Sequence, residues 1–215
     1  MFRRSTLVSQ IMRTRVPAAL AGALVLASTS GWAAPPKIDV SNDSITCNAV
    51  VATMTLKPPI SGGGTATSEA VKVKGSLNGC FVSGPNSAIV LSGTFAGTLS
   101  TTTNDCNAFL LSPLTGTLTF KWKADPTTPL LHASSTLTIT TSSFAVFSGE
   151  PWGAEYAEFS LGSSSVTGAF TGGDAGATSS NSLITSQDAN AFGIGCGSPA
   201  GLKKLNIGLG TFTFS

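Results

Sequence analysis

The chain has 215 residues, only 10% of them charged, with four arginines and eight lysines against ten carboxylates. All four arginines (Arg3, Arg4, Arg13 and Arg15) precede residue 34, so the remainder holds every lysine and carboxylate and a formal charge of −2. With no arginine and no basic run there, composition argues against a nucleic-acid partner, because phosphate backbones are gripped by clustered Arg and Lys.

The N-terminal segment comes first. An apolar run of 12 residues, 16–27, follows the basic start. That is the length of a signal-peptide core and short of the ~20 residues that span a bilayer. Gly31 and Ala33 put small residues before a cut, so 1–33 reads as a Sec-type export signal and 34–215 as one domain. Met12 also begins a complete signal, so Met1 and Met12 both fit as the start. No cysteine lies near the cut, and no second long apolar run or hydrophobic tail follows. The mature chain is expected to be soluble, periplasmic, cell-surface or secreted, and not membrane-spanning.

Beyond residue 34 the sequence offers short alternating runs rich in Thr, Val, Ile, Leu and Phe, broken by Gly, Ser, Pro and Asn. This is the pattern of antiparallel strands with one dry face. Strands are expected over 44–56, 70–77, 88–100, 116–124, 133–147, 154–161, 164–172 and 204–214. Lys72 and Lys74 alternate with Val71 and Val73, and Lys121 and Lys123 flank Trp122, as inward–outward alternation requires. Glycine followed by a large residue recurs at Gly93–Phe95, Gly116–Leu118, Gly168–Phe170 and Gly210–Phe212, at unequal spacing. Unequal spacing disfavours a solenoid or propeller. The expectation is an all-β, antiparallel β-sandwich, immunoglobulin-like or jelly-roll-like. Two stretches, 57–69 and 171–195, carry no strand pattern, and the second reads as a mobile loop.

Cys47, Cys80, Cys106 and Cys196 are an even set in an exported chain, which favours two disulfides. If the first two strands form a hairpin, facing positions add to about 127, as Cys47 and Cys80 do. The preferred pairing is therefore Cys47 with Cys80 and Cys106 with Cys196, the latter tying the middle of the chain to the last strand. The other two connectivities remain open. No CxxC pair and no cysteine–histidine cluster occurs, so no metal site is expected.

The early Thr46-Cys47, the step Gly75-Ser76-Leu77-Asn78-Gly79-Cys80, the strand Gly116–Trp122, and Cys196 followed by Gly201-Leu202 and Gly210–Phe214 together resemble a loose group of exported bacterial proteins. The resemblance covers most of the chain beyond residue 34. It implies an exported β-sandwich with two disulfides and implies no activity.

Catalytic motifs are scarce. His132, in "PLLHASST", is the single histidine, and no G-x-S-x-G, H-E-x-x-H, phosphate loop or EF-hand spacing occurs. One segment, 149–159, gathers Glu150, Trp152, Glu155, Tyr156 and Glu158. Aromatic faces beside carboxylates suit a sugar platform. In a strand, however, Glu155 and Glu158 take opposite faces. The plain reading is a loop covering one end of the fold. Lys203-Lys204 read as edge-strand lysines that guard against sheet-to-sheet association. Alternation is also the signature of a small outer-membrane barrel, but beyond residue 33 only Trp122, Trp152 and Tyr156 could supply its amphipathic interface aromatics.

The function expected is that of an exported, non-enzymatic envelope or extracellular β-sandwich protein, with a binding or assembly role and no cofactor. Its partner would be a glycan or a protein. The alternative is a carbohydrate-binding module or a hydrolase using 149–159.

Overall fold

A computed structural model describes residues 34–86, 88–149, 154–161, 164–171, 182–183 and 186–214. Pro35–Ser215 forms one compact unit. Alternation shapes its strands. In β1 (Ser44–Ile60), Val50, Ala52, Met54 and Leu56 are buried, while Val51, Thr55 and Lys57 face out. In β2 (Glu69–Ser83), buried Val71 and Val73 sit between exposed Lys72 and Lys74. β3 (Val90–Thr101), β4 (Thr115–Ala124) and β5 (Ser134–Ile139) continue the meander. β6 (Ser142–Gly149), β7 (Ala154–Leu161), β8 (Ser164–Gly168), β9 (Ser182–Leu183) and β10 (Leu202–Phe214) complete the strands. α1 (Cys106–Leu111) and α2 (Ser186–Gly197) are the helices described.

Hydrogen bonds join the ten strands in one antiparallel sheet of order β6-β7-β9-β10-β1-β2-β3-β4-β5-β8. Three strands separate β10 from β4, which in a flat sheet would hold them about 19 Å apart. Yet the Phe120 ring of β4 lies 4.9 Å from both Phe212 and Phe214 of β10. The sheet therefore curls until these regions meet across a shared core. The fold is all-β and antiparallel, as the sequence indicates. Both walls of its core belong to one curled sheet rather than to two hydrogen-bonded sheets.

Phe95 stacks on Phe120 at 5.2 Å, and Trp122 meets Phe170 edge-on at 5.3 Å. The Trp122 indole N–H donates to Ser135 Oγ at 2.8 Å, and that buried hydroxyl donates onward to the Ala169 carbonyl. Phe170 adopts a φ of 58°, a region rarely used without glycine. Its N–H donates to the Val40 carbonyl at 3.1 Å and its ring is fully buried, which fixes the conformation. The interior is apolar, and the outer face carries lysine and threonine. A membrane barrel needs the reverse polarity. Among the described residues no helix is long and apolar enough to cross a membrane.

The β1–β2 register keeps facing positions adding to 127, from Ser44 opposite Ser83 to Lys57 opposite Ala70. Cys47 and Cys80 are thereby opposed and bonded, with Cα atoms 3.9 Å apart. Cys47 and Val50 are both buried, so inward–outward parity inverts between them. β2 inverts at the same level, where Gly79 takes a φ of 61°. Cys106–Cys196 joins α1 to α2, one short segment ahead of the last strand.

Several expectations need correction. The run 133–147 splits at Thr140–Thr141 into β5, beside β4, and β6, at the opposite margin of the sheet. Lys203-Lys204 need none: they lie at the start of β10, which pairs there with β1 and meets β9 only at Gly210, so the other side of this stretch has no strand partner among the described residues. Within 171–195, β9 and the start of α2 are ordered, while residues 172–181 lie outside the described residues. α2 escapes pattern reading because Gly193, Gly195 and Gly197 give it poor helix propensity.

The stretch 57–69 is also structured. β1 runs on to Ile60, and the following loop is held by two side chains from 104–105. Asn104 accepts the Ala66 N–H at 2.7 Å and donates to the Pro59 carbonyl at 3.2 Å. Asp105 caps α1 through the Asn107 and Ala108 amides, both at 3.0 Å, and accepts the Gly63 N–H at 2.8 Å. A Cβ on Gly64 would strike Asn104, so only glycine lets the loop approach. Asn104→Ala leaves the Ala66 amide and Pro59 carbonyl unpaired in a half-buried site. A loss of about 1–3 kcal/mol is expected from urea denaturation.

Beneath this loop Glu69 is 1% exposed, and neither carboxylate oxygen has a hydrogen-bond partner. Burial pushes its pKa up from 4.5 to about 7; the Lys57 amide, near but outside bonding geometry, offsets only part of this. The folded state holds this proton more tightly than the unfolded chain does. Its contribution therefore favours folding at low pH and is lost as pH rises from 4.5 to about 7. The parent is expected to lose Tm between about pH 5 and about pH 8, and Glu69→Gln is expected to lose markedly less. Equal slopes in the two proteins would refute a buried, protonated Glu69.

Candidate functional site

The pairing of β10, β1, β2, β3, β4, β5 and β8 lines outward residues up in rows across the sheet. One row runs Lys204, Thr55, Lys72, Thr98, Thr117, Thr138, Ser165. The next runs Asn206, Thr53, Lys74, Ala96, Thr119, Thr136, Thr167. A third runs Gly208, Val51, Ser76, Thr94, Lys121, Ser134. Within a row neighbours stand about 4.8 Å apart, and rows follow at about 6.8 Å along each strand. Thr53 Oγ1 donates to Asn206 Oδ1 at 3.2 Å, so part of the lattice is cross-linked by its own hydroxyls. With Lys57 and Lys123 at further outward positions, six lysines share this face, and no carboxylate stands in its rows.

The face is not flat. A shallow trough of about 530 Å³ is bordered by Thr53, Lys74, Ser76, Thr94, Thr119 and Lys121. A second, of about 430 Å³, shares Lys74 and Ala96 with it and reaches Lys72 and Thr98. Together they run along the outer side of β3 from Thr94 to Thr98, about 14 Å. The floor is low because Ala96, the outward residue of β3 between Thr94 and Thr98, carries only a methyl group between the longer residues of β2 and β4. Gly97 is itself imposed by packing, since a Cβ there would strike the Thr117 carbonyl.

The charges segregate for a local reason. The aspartates act as acceptors for backbone amides. Asp39 takes the Ser41 N–H at 2.9 Å, and Asp43 takes the Asn86 N–H at 3.4 Å. Asp125 takes the Thr127 N–H at 2.8 Å and its hydroxyl as well, and Asp105 is shared between α1 and the glycine loop. The Ala108 and Gly63 amides lower the pKa of Asp105; the Thr127 hydroxyl and amide lower that of Asp125. The Ser41 amide and hydroxyl lower that of Asp39, helped slightly by His132. Bound in this way, these acids do not neutralise the lysine face.

The segment singled out by sequence lies elsewhere. Glu150 and Trp152 fall outside the described residues. Glu155, Tyr156 and Glu158 lie on β7, opposite Ser148, Phe147 and Ala145 of β6. Positions 155 and 158 of a strand occupy opposite faces, so this backbone does not pair the two acids. His132 is exposed between β4 and β5, and among the described residues no hydrogen bond joins it to a serine. No group of three His, Cys, Asp or Glu residues able to hold a metal occurs among the described residues.

Sequence reading placed the lysines singly and missed their convergence. The signal was present in part: combining the alternation with the constant-sum register puts Lys57, Lys72 and Lys74 on one side, whereas Lys121 joins them only through the β2–β3 and β3–β4 pairings. That removes one premise of the argument against polyanionic partners, although arginine is still lacking. Comparison of the chain with protein-family models, curated proteins and solved structures gave no match.

Proposed function

We propose that this is an exported, non-enzymatic binding protein of the cell envelope or extracellular space, and that its working surface is the outer face of β1–β4. The trough along β3 carries the reading: it sets ammonium and hydroxyl groups at fixed spacings on a sheet whose first two strands are cross-linked by Cys47–Cys80. Its border offers hydrogen-bond donors and acceptors but no imidazole, carboxylate or thiol for acid–base or nucleophilic chemistry. Two disulfides favour an oxidising compartment. The basic and apolar N-terminal segment favours export.

A thermal-shift screen of the oxidised protein against glycans, envelope polymers and peptides tests this. At least one class is expected to raise Tm in the parent and in Trp152→Ala, but not in Thr94→Val/Thr119→Val, which keeps shape and removes two hydroxyls. A shift lost in Trp152→Ala and kept in the threonine variant would move the site to 149–159 and favour the carbohydrate-binding alternative there.

A further inference from the structure

We infer that the trough takes an anionic glycan chain, laid along β3 with its acidic groups between Lys72 and Lys74 on one side and Lys121 on the other. The inference rests on the reading of this face as a binding surface and adds the class of ligand. Charge complementarity carries it. The outward rows hold four lysines and no carboxylate, Lys57 and Lys123 stand on the same face beyond them, and the aspartates described above are engaged by backbone amides. An anion entering the trough therefore meets ammonium groups without a resident competitor.

The rest of the border selects among anions. Thr53, Ser76, Thr94 and Thr119 offer hydroxyls that both donate and accept, matching the hydroxyls of a sugar. No aromatic side chain stands at an outward position of the three rows; Phe95, which borders the trough from below, is buried with its ring stacked on Phe120 and offers bases no free face, and arginine, the bidentate reader of phosphate, is missing from this part of the chain. A bilayer surface is flat on this scale, whereas the trough is concave and about 14 Å long, roughly three sugar rings. Lys72 and Lys74 stand about 6.8 Å apart along β2, and Lys121 lies two strands away, about 10 Å across. Acidic groups repeated along a chain can meet all three; a single small anion meets one.

The test uses the full oxidised protein and four probes: oligogalacturonate, its fully methyl-esterified counterpart, dextran and oligo-dT. Oligogalacturonate is expected to bind, and the ester and dextran are not. Its affinity should fall with salt, with a log–log slope of about −2 to −3 for three ion contacts. Lys74→Gln/Lys121→Gln is expected to weaken binding about tenfold. Lys37→Gln, outside the sheet, should leave it unchanged, and far-UV circular dichroism checks that each variant is folded. Equal binding of acid and ester would overturn the inference, as would acid binding indifferent to Lys74→Gln/Lys121→Gln. Oligo-dT binding as tightly as oligogalacturonate would overturn it in favour of nucleic acid. If oligogalacturonate fails while an uncharged ligand shows the threonine-dependent shift described above, the ligand class is wrong and the binding face stands; silence from every probe and from that screen overturns both.

Discussion

The meeting of β4 with β10 across the core is the constraint on which the rest of this structure depends. Phe120, Phe212, Phe214, Phe95 and Trp122 form one aromatic cluster, with ring centroids between 4.6 and 6.0 Å. Each such side chain removes on the order of 150–250 Å² from water, whereas an aromatic pair adds only about 0.5–1.5 kcal/mol beyond that area. Area therefore decides the curl, and ring geometry refines it. Once the sheet has curled, every inward position of β1–β4 is committed to the core. Their partners in the alternation are committed to solvent. The lysine and threonine rows follow from aromatic packing on the other side of the same strands.

A second level of order comes from how the chain uses its few charges. An exposed ion pair contributes about 0–1 kcal/mol, so lysine and aspartate gain little by meeting on the surface. An aspartate at a turn or helix start gains more, because it satisfies amides that have no other partner; removing such a cap costs about 0.5–2 kcal/mol. Asp105 serves α1 and the glycine loop together, and Asp125 and Asp39 close local turns. Carboxylates thus gather at turns and lysines on the sheet. The segregation needs no long-range design to arise, and it leaves a coherent positive field over the trough.

Much of the fold was legible because it is local. Alternation located eight strand runs, one of which holds both β5 and β6, and left out β9; the hairpin arithmetic on Cys47 and Cys80 gave a register that holds over the whole β1–β2 pair. What stayed hidden depends on contacts distant in sequence. Nothing in "STLTITTSSFAVF" says that the chain changes margins at Thr140–Thr141, because both halves have the same composition and pattern. α1 is hidden by its length: Asp105 caps it clearly, but six residues show no helical period. The glycine loop looked featureless because Asn104 and Asp105, which hold it, lie some 40 positions away. The candidate site failed to show for a related reason. Aromatic and acidic residues crowded into 149–159 draw attention along the chain, whereas the lysines of the trough are dispersed along it and adjacent only across strands.

The β1–β2 register has a consequence for how the molecule is assembled. A slip of one residue turns every side chain of a strand to the other face, and a slip of two carries directly opposed Cα atoms to about 7–8 Å, beyond the reach of a disulfide. Cys47 and Cys80 can therefore close only in the register that sets Thr53 opposite Lys74 and Thr55 opposite Lys72. Oxidation at this pair acts as a check on alignment: the covalent bond is available only to chains whose first two strands have met in this register.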